Sequence, residues 1–168
     1  MSTAKPTTQS AAQRRSAEAE LRRLITKFAP DHERLAGRAR RWLRKRLPTA
    51  HEVIYEYRDC FVISFSPSER GYEGVFAVRG SADGVRLYFN AGKDLPDPEK
   101  LLRGTARARY IDLEGASTLA RPAVMQLFDA AIRRNRVPFP RTGRGPVALR
   151  SAAARKSPRS RRSATAQG

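Results

Sequence analysis

The chain has 168 residues, room for one ordinary domain, and its 40% hydrophobic content suffices for a real core. A single cysteine, Cys60, excludes an intramolecular disulfide and fits a reducing compartment, no run of 18 apolar residues marks a membrane span, and residues 1–15 lack a signal-peptide core, so a cytoplasmic protein without a membrane partner is expected. The net charge of +18 is unevenly placed: nine of the 34 bases fall in residues 136–168 and three in residues 1–15, while all 16 acids lie between.

Both ends are rich in Ser, Ala, Pro, Gly and Arg and nearly free of large apolar residues, a composition that cannot offset the entropy of ordering. A disordered arm is expected over residues 1–15, one folded domain over 16–136, and a disordered basic tail over 137–168. Inside the domain, Leu21, Leu24, Ile25 and Phe28 recur at helical spacing behind Ser16 as N-cap. Pro30 and Asp31 open a second helix with Leu35, Ala39, Trp42, Leu43 and Leu47 as its apolar face, stopped by Pro48. From Glu52 the period changes to two. Val53 to Tyr57, Phe61 to Phe65, Tyr72 to Arg79 and Val85 to Phe89 read as strands, and the breaks Ser66 to Gly71 and Gly80 to Gly84 are short polar turns with glycine, which imply antiparallel hairpins. Asp97, Pro98 and Glu99 predict a short helix closed by Gly104, and Tyr110 to Leu113 a fifth strand. Pro122 then opens a last helix whose face is Val124, Leu127, Phe128, Ala131 and Ile132. Strands clustered between helices predict an α+β fold: a five-stranded antiparallel sheet with two N-terminal helices and one C-terminal helix on one face.

No arrangement for catalysis stands out. His32 and His51 lie near opposite ends of one helix, and neither Cys-x-x-Cys nor His-x-x-x-His occurs, so no metal site and no cofactor is expected. Strand alternation points Asp59 and Cys60 to opposite faces, which makes Cys60 a buried strand residue. Charge is more informative. Arg34, Arg38, Arg41 and Lys45 fall within roughly 60° of one another around the second helix, flanked by Arg40 and Arg44, and form either a solvated face or an anion-binding stripe. Arg107 and Arg109 sit where they would fix Asp94 or Asp97, or take an anionic ligand. In the tail, Pro140 to Pro146 is similar to minor-groove-binding hooks. Arg155, Lys156, Arg159, Arg161 and Arg162 complete a polyelectrolyte that collects on nucleic acid at low salt.

The run Gly84 to Leu87, the LPDP of Leu95 to Pro98, Leu101-Leu102 with Gly104, and Arg109 to Leu113 resemble the YdhG-like domain family of small bacterial proteins. The resemblance covers about residues 20–135 and marks Glu52, Gly92, Asp97, Pro98, Gly104 and Arg109 as family-motif positions. The chain departs from the family at Tyr57 to Phe61, where YRDCF replaces a glycine and Met-Pro. The resemblance implies a compact sheet with helices on one face, frataxin-like in outline, and for some members an iron-delivery role. The expected function is therefore a non-enzymatic binding module for a protein or small anionic ligand, with basic tails that attract nucleic acid without sequence preference. The alternative is a frataxin-like iron-binding chaperone, which the basic stripe of the second helix and its flanks Arg40 and Arg44 oppose.

Overall fold

Ser10, not Ser16, starts the first helix. Its hydroxyl accepts from the Gln13 backbone N–H while the Gln13 side chain accepts from the Ser10 N–H, a reciprocal capping box that places α1 at Ala11–Phe28. A computed structural model describes residues 8–151, so residues 1–7 and the tail positions Arg155, Lys156, Arg159, Arg161 and Arg162 lie outside the described residues. A 3-10 turn at Pro30–His32 leads into α2, Glu33–Arg46. Strands β1 (His51–Glu56), β2 (Cys60–Ser66), β3 (Phe76–Ser81) and β4 (Gly84–Phe89) follow, then β5 (Arg109–Leu113). A four-residue helix α3, Ala116–Leu119, precedes α4, Pro122–Arg134, and β6 closes the described chain at Val147–Ser151.

The sheet order is β5-β4-β3-β2-β1-β6. Strands β1 to β5 form the expected antiparallel meander, but β6 joins β1 in parallel, with Val147 beside Glu52 and Leu149 beside Ile54. The sheet is therefore mixed and six-stranded, and residues 137–151 are part of the folded body instead of the start of a tail. Val147 is 1% exposed, and an open β1 edge gains a row of backbone partners from this strand. The helix expected after Asp97 does not form. The Asp97 carboxylate takes the backbone N–H groups of Leu101 (2.9 Å) and Leu102 (2.8 Å), and Lys100 adopts φ 52°, which leaves the helical path within one turn.

The core lies between one sheet face and the helices. Ile54, Phe61, Ile63, Phe65, Phe76, Val78, Leu87 and Phe89 are fully buried there, beneath Leu21 and Leu24 of α1, Ala36, Ala39 and Leu43 of α2, and Val124 of α4. Phe128 stacks on Phe76 with ring centres 4.7 Å apart and meets Trp42 edge-on at 5.2 Å. Each such ring or branched side chain stabilises the fold by about 1.5–3 kcal/mol. On α2 the buried stripe is Ala36, Ala39, Arg40 and Leu43, with Leu35 and Trp42 only partly covered. A charged residue thus occupies an inward position of an otherwise apolar stripe, and the candidate site is built around that exception.

Candidate anion-binding site

Arg40 follows Ala36 by four residues and precedes Leu43 by three, so the helical period turns it toward the sheet. It is 8% exposed and is held on both sides. Nη1 and Nη2 donate to the two carboxylate oxygens of Glu18 on α1, each at 2.7 Å, a bidentate fork. Nη2 and Nε also donate to Glu52 Oε2 at the start of β1, at 2.6 and 3.2 Å. Burial would lower the Arg40 pKa, but the Glu18 hydrogen bond and the Glu52 charge outweigh it and hold the guanidinium firmly protonated. The Glu18 carboxyl, in turn, is held below its ordinary pKa by the hydrogen bond from Arg40. Strand alternation puts Glu52 on the core face with Ile54, and only 3% of it is exposed.

Glu52 is incompletely satisfied. Its Oε2 is engaged by Arg40, but its Oε1 is buried without a hydrogen bond, Arg44 Nε standing 3.6 Å away. The carboxylate lines a cavity of about 220 Å³ together with Arg14 from α1, Arg44, Leu47, Pro48, Ala50, and Gly143, Arg144 and Gly145 from the loop before β6. That volume holds several waters and accommodates a small oxyanion. Arg14 Nη1 donates to the Gly145 carbonyl at 2.9 Å, while Arg14 Nε is buried without a partner. Burial lowers the Arg14 pKa, and repulsion from Arg144 and then Arg44 lowers it further. Three guanidinium groups therefore crowd one small space beside a carboxylate already shared with Arg40.

The loop that completes the cavity is the Pro140 to Pro146 stretch. It is pinned to the link between α2 and β1: Thr49 Oγ1 donates to the Pro140 carbonyl (2.6 Å), Gly145 N to the Pro48 carbonyl (3.1 Å), and Glu52 N to the Pro146 carbonyl (2.9 Å). Only glycine fits at position 145, because a Cβ there would overlap the Ala50 carbonyl. The Gln9 side chain completes the junction by donating to the Val147 carbonyl and accepting from its N–H. The tail was expected to attract nucleic acid and the arm to take no part in a site; here Arg14 of the expected arm and Gly143 to Gly145 of the expected tail line one cavity.

No family model, curated protein or solved structure matches this chain.

The remaining candidates fall elsewhere. Arg34, Arg38, Arg41 and Lys45 are exposed on α2 and hold no ion pair among the described residues. Arg34 and Arg38 border a broad open depression shared with Asp31, Glu33 and Glu114, so that part of the stripe is balanced by acids. Arg109 reaches neither Asp94 nor Asp97: its Nε and Nη1 donate to the carbonyls of Ala106 (2.6 Å) and Gly104 (2.7 Å), and its side chain lies over Gly92. The expected carboxylate partner is replaced by the backbone of its own loop, because Asp97 is already occupied by Leu101 and Leu102. Arg107 is exposed. Pro98 is exposed beside Asp97, and Gly104 takes φ 101° next to the Tyr110 ring. Cys60 is buried in β2. Among the described residues no group of three or more His, Cys, Asp or Glu side chains is placed to hold a metal ion, and no helix is long and apolar enough to cross a membrane.

Sequence reasoning singled out Glu52 as a motif position and Arg40 and Arg44 as flanks of the exposed stripe. It did not join them, nor bring Glu18, Arg14 and Arg144 to the same place. The signal for Arg40 was present: it shares the i, i+3, i+4, i+7 set of Ala36, Ala39 and Leu43.

Proposed function

We propose that this chain is a non-enzymatic binding module for a small anionic ligand, held where α1, α2, the start of β1 and the loop before β6 converge. The observation that carries the reading is the crowding of Arg14, Arg44 and Arg144 around one cavity whose acid, Glu52, is already claimed by Arg40. Clustered guanidinium groups, partly desolvated and lacking enough counter-charge, make a site whose empty form is electrostatically costly and whose anion-bound form is relieved. The surrounding fold is rigid enough to hold them apart, since each comes from a different element pinned by its own backbone hydrogen bonds. The basic residues beyond 151 add a sequence-independent attraction to nucleic acid that is separate from this pocket.

The test is calorimetric titration of the full chain with inorganic phosphate at low ionic strength, beside an Arg14→Ala/Arg44→Ala variant. Saturable one-to-one binding that the variant loses by roughly tenfold or more is expected, since each charge-assisted contact contributes about 1.5–3 kcal/mol. Binding that survives the double substitution removes the site.

A further inference from the structure

We infer that the oxyanion taken by this pocket is one that carries a proton, so that the site selects hydrogen phosphate over sulfate. This rests on the anion-binding reading above and concerns what Glu52 does within it. An ionised carboxylate only accepts hydrogen bonds, and Glu52, one of the residues lining the cavity, carries a buried Oε1 that receives no hydrogen bond, Arg44 Nε standing 3.6 Å from it, while its other oxygen is held by Arg40 at 2.6 and 3.2 Å. A pocket lined by arginines alone would take any oxyanion of suitable size. Adding a buried acceptor changes the selection. Inorganic phosphate near neutral pH always retains at least one P–O–H, which can donate to Oε1 while its other oxygens accept from Arg14, Arg44 and Arg144. Sulfate has the same shape but no proton at that pH, so one of its oxygens would meet Oε1 lone pair to lone pair. A phosphomonoester fits only as the monoanion, below a second pKa of about 6.

Sites built to pair a buried polar group reject analogues lacking the partner far more strongly than apolar pockets reject a missing methylene. Rejection here comes from the carboxylate and attraction from the arginines, a division of labour that substitution can separate. Glu52→Gln keeps the shape and converts the acceptor into a group able to donate to sulfate.

Calorimetry on the full chain, with phosphate and sulfate titrated separately at low ionic strength near neutral pH, tests the selection directly. The expected result is a preference for phosphate of at least about 100-fold, narrowing to within about tenfold in Glu52→Gln as sulfate gains and phosphate loses. Equal binding of the two anions by the wild type overturns the inference and leaves the anion site standing. Absence of binding by either anion at millimolar concentration overturns both. Unchanged discrimination in a folded Glu52→Gln also overturns it, because the selection would then come from elsewhere. Should Glu52→Gln fail to fold, the wild-type comparison alone is decisive, and a methyl phosphate titration repeated above and below its second pKa provides the independent arm: affinity must rise as the monoanion forms.

Discussion

At the scale of residues, the most consequential arrangement is the triad Glu18, Arg40 and Glu52, in which one guanidinium serves two carboxylates between two helices and a strand. Its contribution is conditional on all three being present. Removing the cation takes the hydrogen bonds from Glu52 Oε2 when Oε1 of the same buried carboxylate already has none, and breaking a buried pair in that way costs about 3–5 kcal/mol. The triad also sets an acid limb. Because the hydrogen bond from Arg40 lowers the folded-state pKa of Glu18, the associated stability is fully present above the ordinary carboxylate range, about 4.3 for glutamate, and drains away as pH falls through the folded value. Urea unfolding from neutral pH into the acid range is expected to show a plateau and then a decline for the wild type. Arg40→Met is expected to be less stable by about 3 kcal/mol at neutral pH and to have a shallower acid limb, since Glu18 then titrates near its unfolded value. A variant as stable as the wild type would show that the triad contributes packing alone.

At the scale of elements, five of the six strands, the apolar faces of α1 and α4 and part of that of α2 were legible from period alone, because hairpins between alternating strands are local and the β2–β3 and β3–β4 turns carry glycines. Several features were not, the four-residue α3 among them. β6 hides in a segment whose Pro, Gly and Arg content resembles a tail, and only its two apolar positions, Val147 and Leu149, speak for a strand; the partner that orders it, β1, lies far away in sequence. The bases and alanines at the start of α1 concealed a capping box at Ser10 and Gln13. The Asp97 to Gly104 segment shows the opposite failure: good helix-start chemistry, used by Asp97 on the N–H groups of Leu101 and Leu102 in a non-helical loop. The site shared these difficulties, since Arg14 and Arg144 belong to segments read as arm and tail. A chain ended after residue 151 is expected to unfold within a few degrees of the full chain. One ended after residue 136 loses β6, the Gly143 to Gly145 wall and the burial of Val147, the last alone contributing about 2 kcal/mol. Differential scanning calorimetry of the two truncations checks this, and equal midpoints would mean that β6 adds nothing to the fold.

At the scale of the whole molecule, the charge divides differently from the way its sequence suggests. Of the nine bases beyond residue 135, Arg144 lines the cavity and Arg150 donates to the Glu69 carbonyl, and only five lie past residue 151. If those five each neutralise one phosphate of a duplex, log K falls against log salt with a slope steeper by about 4.5 than that of the truncated domain. Fluorescence anisotropy of a labelled duplex at several salt concentrations, with the full chain, the 1–151 chain, and an Arg34→Ala/Arg38→Ala/Arg41→Ala/Lys45→Ala variant, separates the contributions. Most of the slope is expected to leave with the tail and less with the helix stripe. A truncated domain that keeps its affinity at physiological salt would make the α2 stripe the principal contact.

The parallel pairing of β1 with β6 also has a consequence in time. Glu52 and Val147 are neighbours across the sheet yet stand 95 positions apart in the chain. At a synthesis rate of about 5–20 residues per second, β1 leaves the ribosome some 5 to 20 seconds before the strand that covers its edge. The four meander strands that follow it can pair as they emerge, but the β1 edge, with Glu52 and Ile54 beside it, stays open until β6 has been made. Any holdup between β5 and β6 would therefore leave a nascent sheet with one unclosed side, an edge that a strand of another copy could pair with.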